Sequence, residues 1–406
     1  HRLNRRQRQM CIRDSLLGDD LTLPGVMSLV ADYSARTIDN SIAGSYDVDA
    51  TSLNWRIMDD LAVRYSEQTA VKAPDLGDLF LPQITAFSRA DDPCDYRFRD
   101  VGRNPEQRRA NCDAEGIPAD FVSLVVNATA RGVTGGNPNL INEIADTVST
   151  GIVYQPNWWG DVFFGSLNLA ADYIEIQLND YVTSFSLTQN MEACYDYDTY
   201  PNSQFCDSFT RDADFEVVDF QTGLINAGLI DFATYVYKAD FAFDVAELAS
   251  FVSRENVAMD LGSMAVRWRA TQEDFFASAD SGAAEDLSSA TGQFGNDEWF
   301  YDTAVEWVYG DWYVWVQGNS RSGGVIDINR QYDDEYLGYD GNPIYEFDGY
   351  TTYNGGVGYY VNDDTTLRVN FYNLMDYDGF EEDVFTPEAD LLFIGRQVNA
   401  SLNVRF

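Results

Sequence analysis

The chain has 406 residues, 66 acidic against 26 basic side chains, a formal charge of −40, 14 % aromatic residues and a single His at position 1. Such a charge repels nucleic acid, and the lone terminal His removes imidazole triads, HExxH zinc sites and imidazole general bases. No apolar run reaches the roughly 18 residues of a membrane-spanning helix, no GxGxxG or P-loop occurs, and no carboxylate pair stands out, so the composition argues against an enzyme.

From the N-terminus, residues 1–15 are rich in Arg and carry no strand pattern. They lack the apolar core of a secretory signal. The run Arg8-Gln9-Met10-Cys11-Ile12-Arg13-Asp14-Ser15 resembles translated sequencing adapter, so 1–15 is expected to be a non-native tail and 16–406 the folded unit.

Period-two alternation then places strands near 25–37, 45–57, 61–70, 144–155, 161–178, 226–243, 256–270, 299–309, 311–320, 347–361, 365–373 and 393–406. Tight turns are expected at 58–60, 156–160, 310–311 and 362–364. Long polar stretches occupy 71–143, 179–225, 271–298, 321–346 and 374–392. Short and long connections alternate, the 37–45 and 244–255 segments being the least clear. Trp299, Tyr301, Val305, Trp307 and Tyr309 share one face of their strand, opposite Asp302 and Glu306. In 161–178 the apolar phase flips between Tyr173 and Ile174, as a β-bulge or a strand leaving a bilayer would require. The last strand alternates Val398, Ala400, Leu402, Val404 and Phe406 with polar residues and stops on an aromatic. These features predict an all-β fold: an antiparallel transmembrane β-barrel with long extracellular loops and short periplasmic turns. The twelve strands are expected to form an antiparallel meander curved like half a barrel, with the 25–37 strand presenting an unpaired edge. A soluble sandwich is the competing reading of the stripes, but its strands are usually about five or six residues long.

If Cys11 belongs to the tail, four cysteines remain as local pairs, Cys94 with Cys112 and Cys194 with Cys206, each inside one polar stretch. Disulfides in an oxidising compartment are expected. Arg97, Arg99, Arg103, Arg108 and Arg109 form a basic island that either receives an anionic ligand or, more plainly, pairs with loop carboxylates or lipopolysaccharide. Tyr195, Tyr197 and Tyr200 either stack on a sugar or aromatic ligand or pack on one another in a pinned loop. The acidic clusters at Asp333-Asp334-Glu335, Glu381-Glu382-Asp383 and Asp196/Asp198 read as solvated charge; no metal site or cofactor is indicated. Trp158 and Trp159 read as interfacial anchors.

The segment Val63 to Phe80, with Ser66, Ala73-Pro74, Leu76 and Leu79-Phe80, resembles the strand-to-loop motif of TonB-dependent outer-membrane receptors. Gly136-Asn137-Pro138-Asn139-Leu140 with Glu143 and Ala145, Asp172-Tyr173-Ile174-Glu175-Ile176, and Asn373-Leu374-Met375-Asp376 are similar to three later motifs of that family, in the same order. Val71-Lys72 and Asn142 depart from its usual Phe-Arg and Pro. The resemblance implies residues 16–406 of a barrel of about 22 strands, its C-terminal part, with the plug domain outside this chain. It implies active uptake of a siderophore, cobalamin, oligosaccharide or similar nutrient across the outer membrane of a Gram-negative bacterium. Implied partners are the TonB complex, the barrel-assembly machinery reading Val404 and Phe406, outer-membrane lipid and lipopolysaccharide, and the small-molecule or oligosaccharide ligand. A passive porin-like barrel and a secreted β-rich carbohydrate-binding protein are the alternatives.

Overall fold

Backbone N–H and C=O groups must be paired wherever water is excluded, and this chain pairs them along one ladder. The computed structural model describes residues 8–14, 27–40, 44–279, 287–293, 295–325, 346–377, 379 and 395–405. Its strands are β1 (Arg8–Asp14), β2 (Ser28–Asn40), β3 (Gly44–Met58), β4 (Leu61–Lys72), β5 (Ile84–Ser88), β6 (Ala130–Gly135), β7 (Glu143–Tyr154), β8 (Ser166–Ser184), β9 (Phe209–Arg211), β10 (Val217–Asp244), β11 (Ser263–Ala279), β12 (Ser288–Ser289), β13 (Trp299–Tyr309), β14 (Trp312–Arg321), β15 (Gly324–Val325), β16 (Glu346–Phe347), β17 (Tyr350–Asn362), β18 (Thr365–Tyr372) and β19 (Gln397–Val404). The helices are α1 (Leu76–Phe80), α2 (Pro105–Glu115), α3 (Trp159–Val162), α4 (Leu187–Tyr195) and α5 (Val245–Ser253).

Antiparallel pairing runs β1-β2-β3-β4-β7-β8-β10-β11-β13-β14-β17-β18-β19. Each strand expected from the alternation has a counterpart, with ends shifted by several residues, most of all at the start of β10 and the end of β11. Among the described residues no register joins β19 back to β1 or β2. Three expectations need correction. First, β2 does not present a bare edge: Arg8 to Asp14 pair with Thr37 to Ala31. Backbone pairing needs no side-chain pattern, so a segment without alternation still satisfies an edge. Second, the 156–160 turn contains α3 and the 244–255 connection contains α5. Third, the loops are not strand-free, which raises the strand total beyond twelve.

The ladders on both sides of β8 run without a register shift through Tyr173 and Ile174. The phase flip is therefore not a bulge. Below it Leu167, Leu169, Ala171 and Tyr173 share a face; above it Glu175 and Gln177 continue that face as polar residues. Register carries this face sideways, from Ile152 to Ala171, Tyr237, Ala270 and Tyr301. Two aromatic rows bound it. Near the long loops, Tyr173 and Tyr235 lie 4.9 Å apart and Trp299 and Tyr301 5.5 Å apart. Near the short turns, Trp307 and Tyr309 lie 5.8 Å apart and Trp312 and Tyr359 4.6 Å apart. The stretch from Tyr301 to Tyr309 measures roughly 26 Å along the strand, and strand tilt brings its height near the ~25 Å apolar band of an outer-membrane barrel. Val316, Leu367 and Leu402, in or beside this band, are 41 %, 44 % and 62 % exposed, so no protein layer covers it.

The opposite face is polar. Arg64 on β4 donates to Asp172 on β8 at 2.8 Å from Nε and 2.6 Å from Nη2, and Lys238 on β10 stands 3.8 Å from the same carboxylate. Between β4 and β8 lies β7, whose residue in this row is Gly151. A Cβ there would sit 2.0 Å from Asp172 Oδ1 and 3.0 Å from Arg64 Nε. The missing side chain is what lets the ion pair cross a whole strand.

Gly151→Val is therefore expected to cost about 2 kcal/mol, below the ~3–5 kcal/mol of a fully buried broken pair, because Arg64 is half exposed. Urea titration of the folded chain in lipid vesicles measures it. The same substitution in an Arg64→Ala background is expected to cost distinctly less, and equal losses in both backgrounds would contradict the account.

Candidate functional site: a pinned loop cap over a polar sheet face

The buried core of this protein lies in its long loops. Ala90, Ile117, Phe121, Leu187, Met191, Phe205 and Phe220 belong to one cluster drawn from residues 90–227. Local sequence explains its elements. In α2, Asn104 caps the start by accepting from the Gln107 backbone at 3.3 Å, Pro105 follows, and Gly116 ends the helix at φ 89°. Ser186 and Gln189 close a capping box at the start of α4. The antiparallel β5–β6 hairpin and a parallel pairing of β6 with Gln221–Gly223 of β10 complete a small second sheet. β10 thus begins in the cap and ends in the main ladder.

Two disulfides pin the cap. Cys94–Cys112 and Cys194–Cys206 have Cα separations of 5.7 and 4.9 Å, as their local spacing predicted. Buried ions then tie the two loops together. Arg211 forks onto Asp92 at 2.7 and 2.8 Å, both side chains almost fully buried, and its Nε donates to the Tyr195 hydroxyl at 2.9 Å. Tyr195 donates in turn to Glu115, which also accepts from Tyr200 at 3.1 Å. Arg108 forks onto Asp196 at 2.5 and 2.6 Å and donates to the Phe98 carbonyl at 2.9 Å. Bidentate, charge-assisted pairs of this kind are the strong ones, and each is fully partnered, as buried charge requires.

Burial pushes the Tyr195 hydroxyl upward, and Glu115 adds to the shift. Tyr200 is pushed up to about 12, again by burial first and Glu115 second. Burial drives the Asp95 carboxyl up, but hydrogen bonds from Arg97 and the Ser123 backbone outweigh it and leave it lowered.

The structure gives most of these residues named partners. Arg97 is held by Asp95 at 2.7 Å. Arg99 is buried against Asp113 and the Ile117 carbonyl, and Arg109 pairs with Asp100 at 2.7 Å. The plainer reading of the basic island, pairing with loop carboxylates, describes these arginines and Arg108. Tyr195 is buried and stacks on Tyr200 at 5.4 Å, so these two tyrosines pack on one another. Arg103 and Tyr197 both border a concavity, and Tyr197 also packs against the buried cluster. They share a cleft of about 200 Å³ with Gln189, Glu192 and Asp196, where α4 meets Ser278 and Ser288 of β11 and β12. Arg103 is exposed at its rim. Arg211, Asp92 and Glu115, the groups that hold the tyrosines, carry no local signal, because their partners lie up to 119 residues away.

A second concavity of about 300 Å³ lies on the polar face below, lined by Arg267, Arg269, Asp302, Glu306, Tyr313, Trp315 and Gln317. Tyr313 and Trp315 lie flat over Gly358 and Gly356, where an added Cβ would come within 1.8 and 2.5 Å of their rings. No group of three or more metal-ligating side chains occurs among the described residues. The acidic clusters at 333–335 and 381–383, and Phe406, lie outside the described residues, while Val404 ends β19.

No protein-family model and no curated protein matches this chain. Solved structures do. It is similar to a mutant of the ferric enterobactin receptor PfeA of Pseudomonas aeruginosa, with a TM-score of 0.57 and 13 % identity over 98 % of this chain and 45 % of that one. It is likewise similar to the siderophore receptor PirA of Acinetobacter baumannii, with a TM-score of 0.55 and 13 % identity over 98 % of this chain and 46 % of that one. The chain spans less than half the length of either receptor. The fold is that of a segment of these siderophore receptors, in line with the TonB-dependent receptor motifs of the sequence.

Serine replacement of Cys94 and Cys112 is expected to lower the stability of the cap by about 3 kcal/mol, read as lost hydrogen-exchange protection over 90–126 with the sheet amides unchanged. Because Tyr200 and Tyr195 hold their protons more tightly folded than unfolded, the stability they contribute is intact below about pH 10. It falls as pH rises toward Tyr200's value of about 12. Cap exchange rates across that range test this, and a Tyr200→Phe variant should show a weaker rise.

Proposed function

We propose that residues 16–406 form the C-terminal part of the barrel of a TonB-dependent outer-membrane receptor that takes up a scarce nutrient, and that residues 1–15 are foreign to it. The observation that carries this reading is the two-faced ladder: an uncovered apolar band between two aromatic rows, backed by a polar face that supports ion pairs. A soluble sheet would cover such a band; a bilayer fills that need. The cap then faces the exterior, the short turns face the periplasm, and the protein acts as a transporter and not as an enzyme. A plug domain outside this chain would couple it to the TonB complex. Val404 and Phe406 would serve the barrel-assembly machinery, and the exposed apolar band would meet outer-membrane lipid and lipopolysaccharide.

We assign the ligand site to the cleft that Arg103 and Tyr197 line together with Gln189, Glu192 and Asp196, because its size and its mix of cation, ring and polar groups suit a small anionic or ring-bearing molecule. Arg97, Arg99, Tyr195 and Tyr200 support that cleft by holding the cap in shape. Siderophores, cobalamin and oligosaccharides all remain within its chemistry, and the similarity to siderophore receptors favours the first.

The test uses the full receptor in its native membrane. Uptake of radiolabelled ferric siderophores should stop when a protonophore collapses the inner-membrane gradient; gradient-independent flux would point to a passive pore. Arg103→Ala is expected to weaken ligand binding roughly tenfold, the scale of one charge-assisted contact, with the cap still folded. Arg108→Ala, which strands buried Asp196, should unfold the cap and remove binding entirely.

A further inference from the structure

We propose that the 244–262 segment is a lipid anchor lying at the headgroup–acyl boundary on the short-turn side of the sheet. This rests on the reading that the apolar face of the sheet meets a bilayer. In α5, Val245, Leu248, Ala249 and Val252 recur at helical spacing, yet the helix buries none of its residues. Phe251, Val252 and Met259 are 49 %, 72 % and 68 % exposed. This apolar surface continues across a chain gap, because the ring of Phe163 lies 6.1 Å from Phe251 and 6.3 Å from Trp158.

The patch is continuous with the apolar face of the sheet. Phe241 and Phe243 carry the β10 part of that face, and Phe243 stands in register with Met264, itself opposite Trp307. Phe164 packs against Phe241, Phe243 and Phe251 at 5.4, 5.4 and 5.3 Å, so the aromatic row passes from strand to helix without a break.

The segment is also fixed in place. Val245 N–H donates to the Gly262 carbonyl at 2.9 Å, Trp307 Nε1 to the Leu261 carbonyl at 2.9 Å, and Gly165 N–H to Glu247 at 3.2 Å. A segment tied at both ends, with its helix left uncovered, is presented to something. Its charge decides the kind of surface: Asp244, Glu247, Glu255 and Asp260 outnumber the single cation Arg254. Attraction to anionic headgroups therefore does not drive it, and apolar area entering a neutral leaflet does.

Nitroxide labels at Val252→Cys, Glu255→Cys and Val316→Cys, in the full chain carrying Cys11→Ser and reconstituted in phosphatidylcholine vesicles, test the proposal. The ratio of oxygen to nickel-chelate accessibility at position 252 is expected to approach that at 316 and to exceed that at 255 several-fold. A lipid-like ratio at 316 with a water-like ratio at 252 would overturn the anchor and leave the membrane reading intact. Water-like ratios at both positions would overturn both.

Discussion

Everything in this molecule is positioned by the pairing of β8 with β10. That ladder runs from Ser166 against Ala242 to Ser184 against Leu224. Its lower part sets the height of the apolar band. Its upper part, with the register shifts around Gly228, turns the start of β10 into the loops, where it pairs with β6 and β9. A slip of one residue would exchange the two faces of the sheet. It would also pull the second half of the cap away from the first, separating Arg211 from Asp92 and Asp196 from Arg108.

The two parts of the protein are stabilised by different physics. The sheet has no apolar interior; its apolar side chains face outward, and its buried polar contacts sit on the other face, as in the row of Arg64, Gly151 and Asp172. The cap is built like a small secreted domain. It has a modest apolar cluster, two cross-links and three buried guanidinium groups, each held by carboxylates or carbonyls. A core this small holds a single shape because its charges have specific partners.

The sequence made the sheet readable because alternation is a local signal: each strand states its own period, and the short connections at 59–60, 310–311 and 363–364 mark its ends. The disulfides were readable for the same reason, since partners 18 and 12 residues apart lie in one polar stretch. What stayed hidden was non-local or carried by the backbone alone. β1 pairs through its main chain and needs no pattern. The Arg108–Asp196 and Arg211–Asp92 pairs join residues 88 and 119 apart, so the partners of the cap's arginines could not be read from spacing. Helix α5 escaped notice because nine residues at helical period, Val245 to Ser253, fall within a connection, 244–255, that breaks the alternation of short and long links.

Two glycines on β17 have an effect beyond packing. Because Gly356 and Gly358 offer no Cβ, the rings of Trp315 and Tyr313 lie flat instead of standing out from the polar face. Any side chain at either position would push a ring away from the strand. The relief of the polar face over β14 and β17 is thus set by two absent side chains. Even the smallest substitution there raises that face without adding a charge and leaves the opposite, apolar side untouched.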